Sequence, residues 1–172
     1  MSHDTQAKPQ DASEPQVQPK AKKANGFQPS LKGRALRLLS MREHSRQELE
    51  RKLKPFEETP GELAEVLDFL QAKDFINEQR VVESVVNSRS RKLGASRVRQ
   101  ELQAKGLPAE AIAEAVQTMR STELERAREV WRKKFGEPPA DPAARAKQVR
   151  FLISRGFAAE VVKRVVAGAD EL

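Results

Sequence analysis

The sequence predicts an all-α fold, built from three tandem three-helix repeats in an elongated, curved array. From residue 30 onward, apolar residues recur at spacings of three and four, as in Leu63, Val66, Leu67 and Leu70. That spacing places them on one face of a helix, whereas a strand needs alternation, which is sustained nowhere. A second observation is that one set of apolar positions recurs three times along the chain.

Capping signals mark where the helices begin and end. Three pairs have the spacing of a capping box, namely Ser45 with Glu48, Thr59 with Glu62, and Thr122 with Glu125. Three prolines suit a first helical turn and two glycines suit a C-terminal cap: Pro60, Pro108 and Pro142, then Gly106 and Gly156. About nine helices are therefore expected.

The internal repeat fixes the organisation of the chain. Three positions of the first unit recur in the second and third: Leu53, Leu63 and Leu67, then Leu102, Ile112 and Val116, then Leu152, Val162 and Val166. Gly106 and Gly156 are also shared, which favours true repetition over coincidence. The prediction is a first repeat over residues 30–76, a second over 77–120 and a third over 121–172.

Residues 1–29 carry four prolines among polar residues and few that could build a core, so they are predicted to form a disordered N-terminal tail. The whole chain has a formal charge of +7. Without the tail, 28 basic and 22 acidic residues remain, so most of the positive net charge belongs to the folded part. A positive protein of this kind favours an anionic partner such as nucleic acid.

Several classes of chemistry are disfavoured. The chain has no cysteine and two histidines, so it offers neither a disulfide, nor a histidine triad, nor a multi-histidine metal site. No phosphate-binding glycine loop is present. A non-enzymatic protein without cofactors is expected, and the absence of a long apolar run predicts a cytoplasmic protein without a membrane span.

Basic residues are concentrated in two places. The second unit carries the middle cluster: Arg89, Arg91, Lys92, Arg97, Arg99 and Lys105. Positions 97 and 99 are about 200° apart on a helix, so their side chains lie on opposite sides of the apolar stripe and cannot share one flat ligand. The third unit carries Arg132, Lys133 and Lys134.

Trp131 and Phe135 flank this last run of bases, a combination that can serve stacking and phosphate contact on single-stranded nucleic acid. However, Ala127, Trp131 and Phe135 follow each other at intervals of four, which favours aromatics in the core with only the cations outside.

Four segments together resemble the bacterial RecX regulators over about residues 31–167. They are Arg42 to Leu49, Gly94 to Gly106, Trp131 to Gly136, and Lys147 to Phe157. Two places depart from the family pattern. In the segment from Asp74 to Val82, the family more often has a glycine at the first position and an aromatic-alanine pair near the end; at Ala158, a capping serine is frequent.

The resemblance implies a protein that binds the RecA recombinase filament on DNA and restrains ATP hydrolysis, strand exchange and co-protease activity in recombination and the SOS response. We expect the protein to be a monomer. The resemblance also implies weaker, salt-sensitive affinity for single- and double-stranded DNA. The candidate contacts are the basic residues already named, together with Arg150 and Arg155. Two alternatives stay open, a stand-alone basic DNA-binding module and a helical protein scaffold.

Overall fold

The computed structural model describes residues 28–168, and within that range the all-α prediction is confirmed. These residues form nine α-helices and one short 3₁₀ helix, with no strand. The helices are α1 (Leu31–Met41), α2 (Arg46–Leu53), α3 (Glu62–Ala72), α4 (Glu78–Arg89), α5 (Ala95–Ala104), α6 (Ala109–Ser121), α7 (Glu123–Lys134), α8 (Pro142–Ser154) and α9 (Ala159–Val166); the 3₁₀ helix is Lys54–Phe56. Residues 1–27, most of the predicted tail, lie outside the described range.

Each group of three helices encloses its own apolar core. Helices α1–α3 surround Leu49 and Leu67, α4–α6 surround Val98 and Leu102, and α7–α9 surround Leu152. All nine positions of the sequence repeat are buried, with at most 6% of their surface exposed. The repeat therefore records the same packing used three times, and the three-unit prediction is confirmed.

The capping predictions are partly right. Ser45 and Glu48 form the expected capping box at the start of α2. Gly106 and Gly156 follow the ends of α5 and α8 with φ of +71° and +87°, where a left-handed residue closes the last turn. Pro142 occupies the first turn of α8, and Pro108 lies one residue earlier, at the cap of α6.

Three of the predicted start signals are wrong. Helix α3 is capped by Gly61, whose φ is +88°, and not by Thr59, so Pro60 precedes the helix. The Glu57 carboxylate takes the capping role that was predicted for the Thr59 hydroxyl, because it accepts a hydrogen bond from the backbone N–H of Leu63 at 2.9 Å. Similarly, the Thr122 hydroxyl turns back and donates to the Met119 carbonyl at 3.3 Å instead of capping α7.

Both departures from the family pattern have a visible structural setting. Asp74 has a φ of +64°, the left-handed conformation in which a glycine is unstrained. Its carboxylate accepts hydrogen bonds from Asn77 at 2.8 Å and Arg80 at 2.9 Å, which favour the turn despite the aspartate. Ala158 caps α9 without any side-chain hydrogen bond.

Among residues 28–168, no helix is long and apolar enough to cross a membrane.

Candidate nucleic-acid interface

The second helices of the three units meet end to end. The C-terminal turn of α5 contacts the start of α2, and the C-terminal turn of α8 contacts the start of α5. We call these contacts the first joint and the second joint. In both, the negative end of one helix dipole faces the positive end of the next, which is a favourable arrangement.

The first joint is built from charged side chains. The Ser45 hydroxyl donates to the Lys105 carbonyl at 2.6 Å, which ties α2 to the end of α5. Glu48, only 8% exposed, accepts hydrogen bonds from Arg42 at 2.7 Å and from Lys105 at 3.1 Å. Burial by itself raises the pKa of Glu48, but these two cations and the Ser45 backbone N–H outweigh it and lower the pKa to about 2. Glu48 is therefore an ionised carboxylate that links the two units.

The second joint is built from backbone. The N–H of Gly94 donates to the Arg155 carbonyl at 2.8 Å, and the N–H of Ser96 donates to the Gly156 carbonyl at 3.3 Å. A Cβ atom added to Gly94 would lie 2.2 Å from the Gly156 oxygen. This approach is possible only because position 94 has no side chain.

Two residues that sequence reasoning did not select hold the second joint in place. Glu123, 3% exposed, accepts a hydrogen bond from the Ala95 N–H at 2.7 Å and so caps α5 from the next unit. Arg126 donates to three backbone carbonyls: Ser90 at 2.9 Å, Leu93 at 2.8 Å and Met119 at 2.8 Å. Burial lowers the pKa of Arg126. One signal was available, because Glu123 precedes Ala127 by four residues and so lies on the apolar stripe of α7.

Four of the candidate residues lie around the second joint, and we call them the joint ridge: Arg89, Arg97, Arg155 and Lys134. Arg89 and Arg97 line one cleft of about 400 Å³, in which Arg89 also pairs with Glu101 at 3.0 Å. A Cβ atom added to Gly156 would lie 2.3 Å from Cγ of Arg97, so the Arg97 stem packs directly against the end of α8.

The ridge continues over Phe151. The Arg155 guanidinium lies 4.9 Å from the centre of this ring, and the Lys134 ammonium lies 5.6 Å from it. Phe135 meets Phe151 edge to face at 5.4 Å. Trp131 packs against the third core, and its indole N–H donates to Gln148 at 2.9 Å. The aromatics of this segment thus turn inward while its cations stay exposed, as the spacing of four favoured.

The other candidates lie apart from the ridge. Arg91 and Lys133 line a second cleft of about 270 Å³ beside α7, together with Glu125 and Glu129. Arg99 and Ile112 line another cleft, and Arg97 is not part of its lining. Lys105 is occupied at the first joint, and Arg132 pairs with Glu129. Lys92 and Arg150 are exposed and take part in no ion pair within the described range.

Three consecutive parts of the chain match the family models of RecX: its first three-helix domain over residues 32–70, its second over 77–116 and its third over 121–166. The chain belongs to the RecX family. The "Regulatory protein RecX" of Leptothrix cholodnii is 54% identical over 147 residues, which cover 86% of this chain and 94% of that protein. RecX of Ralstonia pickettii is 48% identical over 143 residues, which cover 83% of this chain and 90% of that protein.

Solved RecX structures share the fold. A crystal structure of a regulatory protein RecX superposes with a TM-score of 0.65 at 22% identity, covering 78% of this chain and 70% of that one. The crystal structure of RecX from Lactobacillus salivarius gives a TM-score of 0.63 at 19% identity, and the match covers 83% of this chain and 96% of that one. The resemblance expected from the sequence motifs is therefore confirmed, and the chain is a member of a family of regulatory proteins.

Proposed function

We propose that this protein binds the RecA filament on DNA and restrains its ATP hydrolysis, strand exchange and co-protease activity. The observation that carries the proposal is the joint ridge, which sets four cations across the junction of two units in a RecX chain. A group of exposed positive charges of this kind suits nucleic acid, because lysine and arginine side chains bind its phosphate groups.

A chain of three units with fixed joints is suited to an extended partner. Once one unit is bound, the others bind without a further loss of translational freedom, so many weak ion pairs add up. Arg91, Lys92 and Lys133 support the same role, since they are exposed and have no carboxylate partner within residues 28–168. Lys105 is proposed to act structurally, because its side chain is only 15% exposed and already paired with Glu48.

The test is the rate of ATP hydrolysis by RecA on single-stranded DNA while this protein is added at well below one copy per recombinase subunit. Inhibition at that ratio is expected, because one bound regulator affects a run of filament subunits. Unchanged hydrolysis, with salt-sensitive DNA binding intact, would instead favour the stand-alone DNA-binding module.

A charge-reversal variant tests the surface itself. Arg97→Glu, Lys134→Glu and Arg155→Glu, three exposed residues of the joint ridge, should together raise the concentration for half-inhibition by at least about tenfold, because removing each ion pair with a desolvated phosphate costs on the order of 1 kcal/mol. The matched control reverses Arg120, Lys163 and Arg164, three exposed bases outside the candidate set. Equal effects of the two triple variants would show that only net charge matters.

A further inference from the structure

The first unit differs from the other two in charge. Residues 30–76 carry nine basic and nine acidic residues, whereas 77–120 carry eight and five, and 121–172 carry eleven and eight. The basic excess of the folded part therefore lies wholly in the second and third units. A neutral unit gains little from proximity to a polyanion.

Several basic residues of the first unit are also committed to carboxylates. Arg42 pairs with Glu48 at 2.7 Å, and Lys54 pairs with Glu57 at 2.8 Å. Arg46 binds Asp68 at 2.6 Å and Glu50 at 3.1 Å. These cations would have to break existing ion pairs before they could bind phosphate.

Exposed apolar side chains are concentrated in the first unit, whereas the excess of basic residues lies in the second and third. Five large ones stand out among the described residues, and four belong to the first unit: Met41 is 75% exposed, Phe56 46%, Phe69 43% and Phe75 48%. The fifth is Ile153 of α8, at 44%. Exposed aromatic and methionine side chains concentrated in a unit without net charge are typical of protein-binding interfaces.

Two of the rings flank the first turn of α1 and have cations beside them. The Arg34 guanidinium lies 3.8 Å from the centre of the Phe56 ring. The ammonium of Lys32 lies 4.4 Å from the centre of the Phe69 ring, and that of Lys73 lies 6.0 Å from it. Each ring therefore has positive charge beside it. We call the two rings, Phe56 and Phe69, together with Lys32, Arg34 and Lys73, the aromatic face of the first unit.

We propose that this aromatic face binds the protein component of the filament, at an apolar groove rimmed by carboxylates, while the second and third units contact its nucleic acid. The proposal rests on the proposed function above. Two aromatic anchors can enter such a groove, and Lys32, Arg34 and Lys73 complement its acidic rim. Single-stranded nucleic acid is the less suitable occupant because the unit has no net positive charge.

The experiment compares the wild-type protein, the double variant Phe56→Ala/Phe69→Ala and the control Ile153→Ala. The control removes an apolar side chain of similar exposure from the third unit. Affinity is measured for two probes: RecA filaments assembled on single-stranded DNA with a non-hydrolysable ATP analogue, and the same DNA without RecA. Circular dichroism verifies that each variant stays helical.

The double variant should lose at least about tenfold in filament affinity, the usual effect of removing two interface anchors, and keep its affinity for bare DNA within about twofold. Ile153→Ala should change neither affinity. Wild-type filament affinity in the folded double variant would overturn the proposal, and an equal loss for filament and bare DNA would assign the face to nucleic acid instead. Failure of the wild-type protein to bind filaments would refute the proposed function itself.

Discussion

At the scale of single residues, two buried titratable groups lie at the start of α2, and one of them, Glu48, belongs to the first joint. Glu48 is held ionised by Arg42 and Lys105, with a pKa of about 2. His44 is 2% exposed, and its Nδ1 lies 3.0 Å from the Arg42 carbonyl. Burial lowers the pKa of His44 below 6.5, although that hydrogen bond and Glu48 act in the opposite direction. Both groups favour the folded state when they are deprotonated.

Acid should therefore destabilise the protein in two stages. Because the folded pKa of His44 is below its unfolded value of 6.5, the unfolded chain takes up that proton first, and stability declines as the pH falls below about 6.5. The contribution of Glu48 is present above about pH 4.5 and is lost as the pH falls towards 2. The measurement is the free energy of unfolding by urea as a function of pH, with the His44 ring followed by NMR.

Glu48→Gln tests the second stage. The substitution should cost about 2–3 kcal/mol at pH 7, because it leaves the partly buried Lys105 without its carboxylate, and it should flatten the pH dependence below about 4.5. The control is Glu50→Gln, whose exposed pair with Arg46 is worth about 0.5 kcal/mol or less. Similar costs for the two variants would contradict the structural role given to Glu48.

A missing cap provides a stabilising substitution. Ala158 lies at the N-cap of α9 with φ −64° and ψ 143°, a conformation in which a serine hydroxyl can accept a hydrogen bond from the first turn. Ala158→Ser should raise the free energy of unfolding by about 0.5–1 kcal/mol. In contrast, Asp141→Ala should lower it by a similar amount, because the Asp141 carboxylate accepts a hydrogen bond from the Ala144 N–H at 2.7 Å.

At the scale of helices, the two joints use different interactions for the same end-to-end contact. Side chains link α5 to α2, whereas backbone hydrogen bonds link α8 to α5. The second joint requires Gly94 because of space and not because of its backbone angle, since its φ is −79°. A side chain at that position is therefore excluded by the neighbouring unit alone.

Gly94→Ala should cost about 2–3 kcal/mol, because the added carbon would lie 2.2 Å from the Gly156 oxygen and force the units apart. Gly61→Ala isolates the effect of backbone angle: its φ is +88° and no atom lies within 4 Å of the added carbon, so a cost of only about 1 kcal/mol is expected. Thermal unfolding of both variants gives the comparison, and equal costs would contradict the close packing of the second joint.

At the scale of the whole molecule, charge is distributed unevenly along the three units, and binding to nucleic acid should depend on salt accordingly. On single-stranded DNA, each phosphate that a bound cation neutralises adds about 0.7 to the slope of log affinity against log salt concentration. Substitution of Arg91 and Lys133 by alanine should therefore lower the steepness of that slope by about 1.4 in total. The pair Arg37→Ala/Lys52→Ala, exposed residues of the neutral first unit, should leave it unchanged in a fluorescence titration.

The sequence alone was enough to predict the helices, the three-unit repeat and the family, because these depend on local periodicity and on motifs that can be recognised without any knowledge of the packing. It also determined that Arg97 and Arg99 lie on different sides of α5, since helical geometry fixes that angle. Helix starts were less predictable. The Thr59 and Thr122 boxes did not form, because Gly61 and Met119 offered competing local conformations and hydrogen bonds.

How the units join could not be predicted in this way, because it depends on contacts between distant parts of the chain. The hydrogen bonds of Ser45 with Lys105 and of Gly94 with Arg155 bridge about sixty residues of chain, and no local pattern specifies which helix ends meet. That packing places Lys105 in a joint and Arg97, Arg155 and Lys134 in one ridge. Which basic residues are available to a partner therefore depends on which carboxylates and helix ends the fold brings beside them.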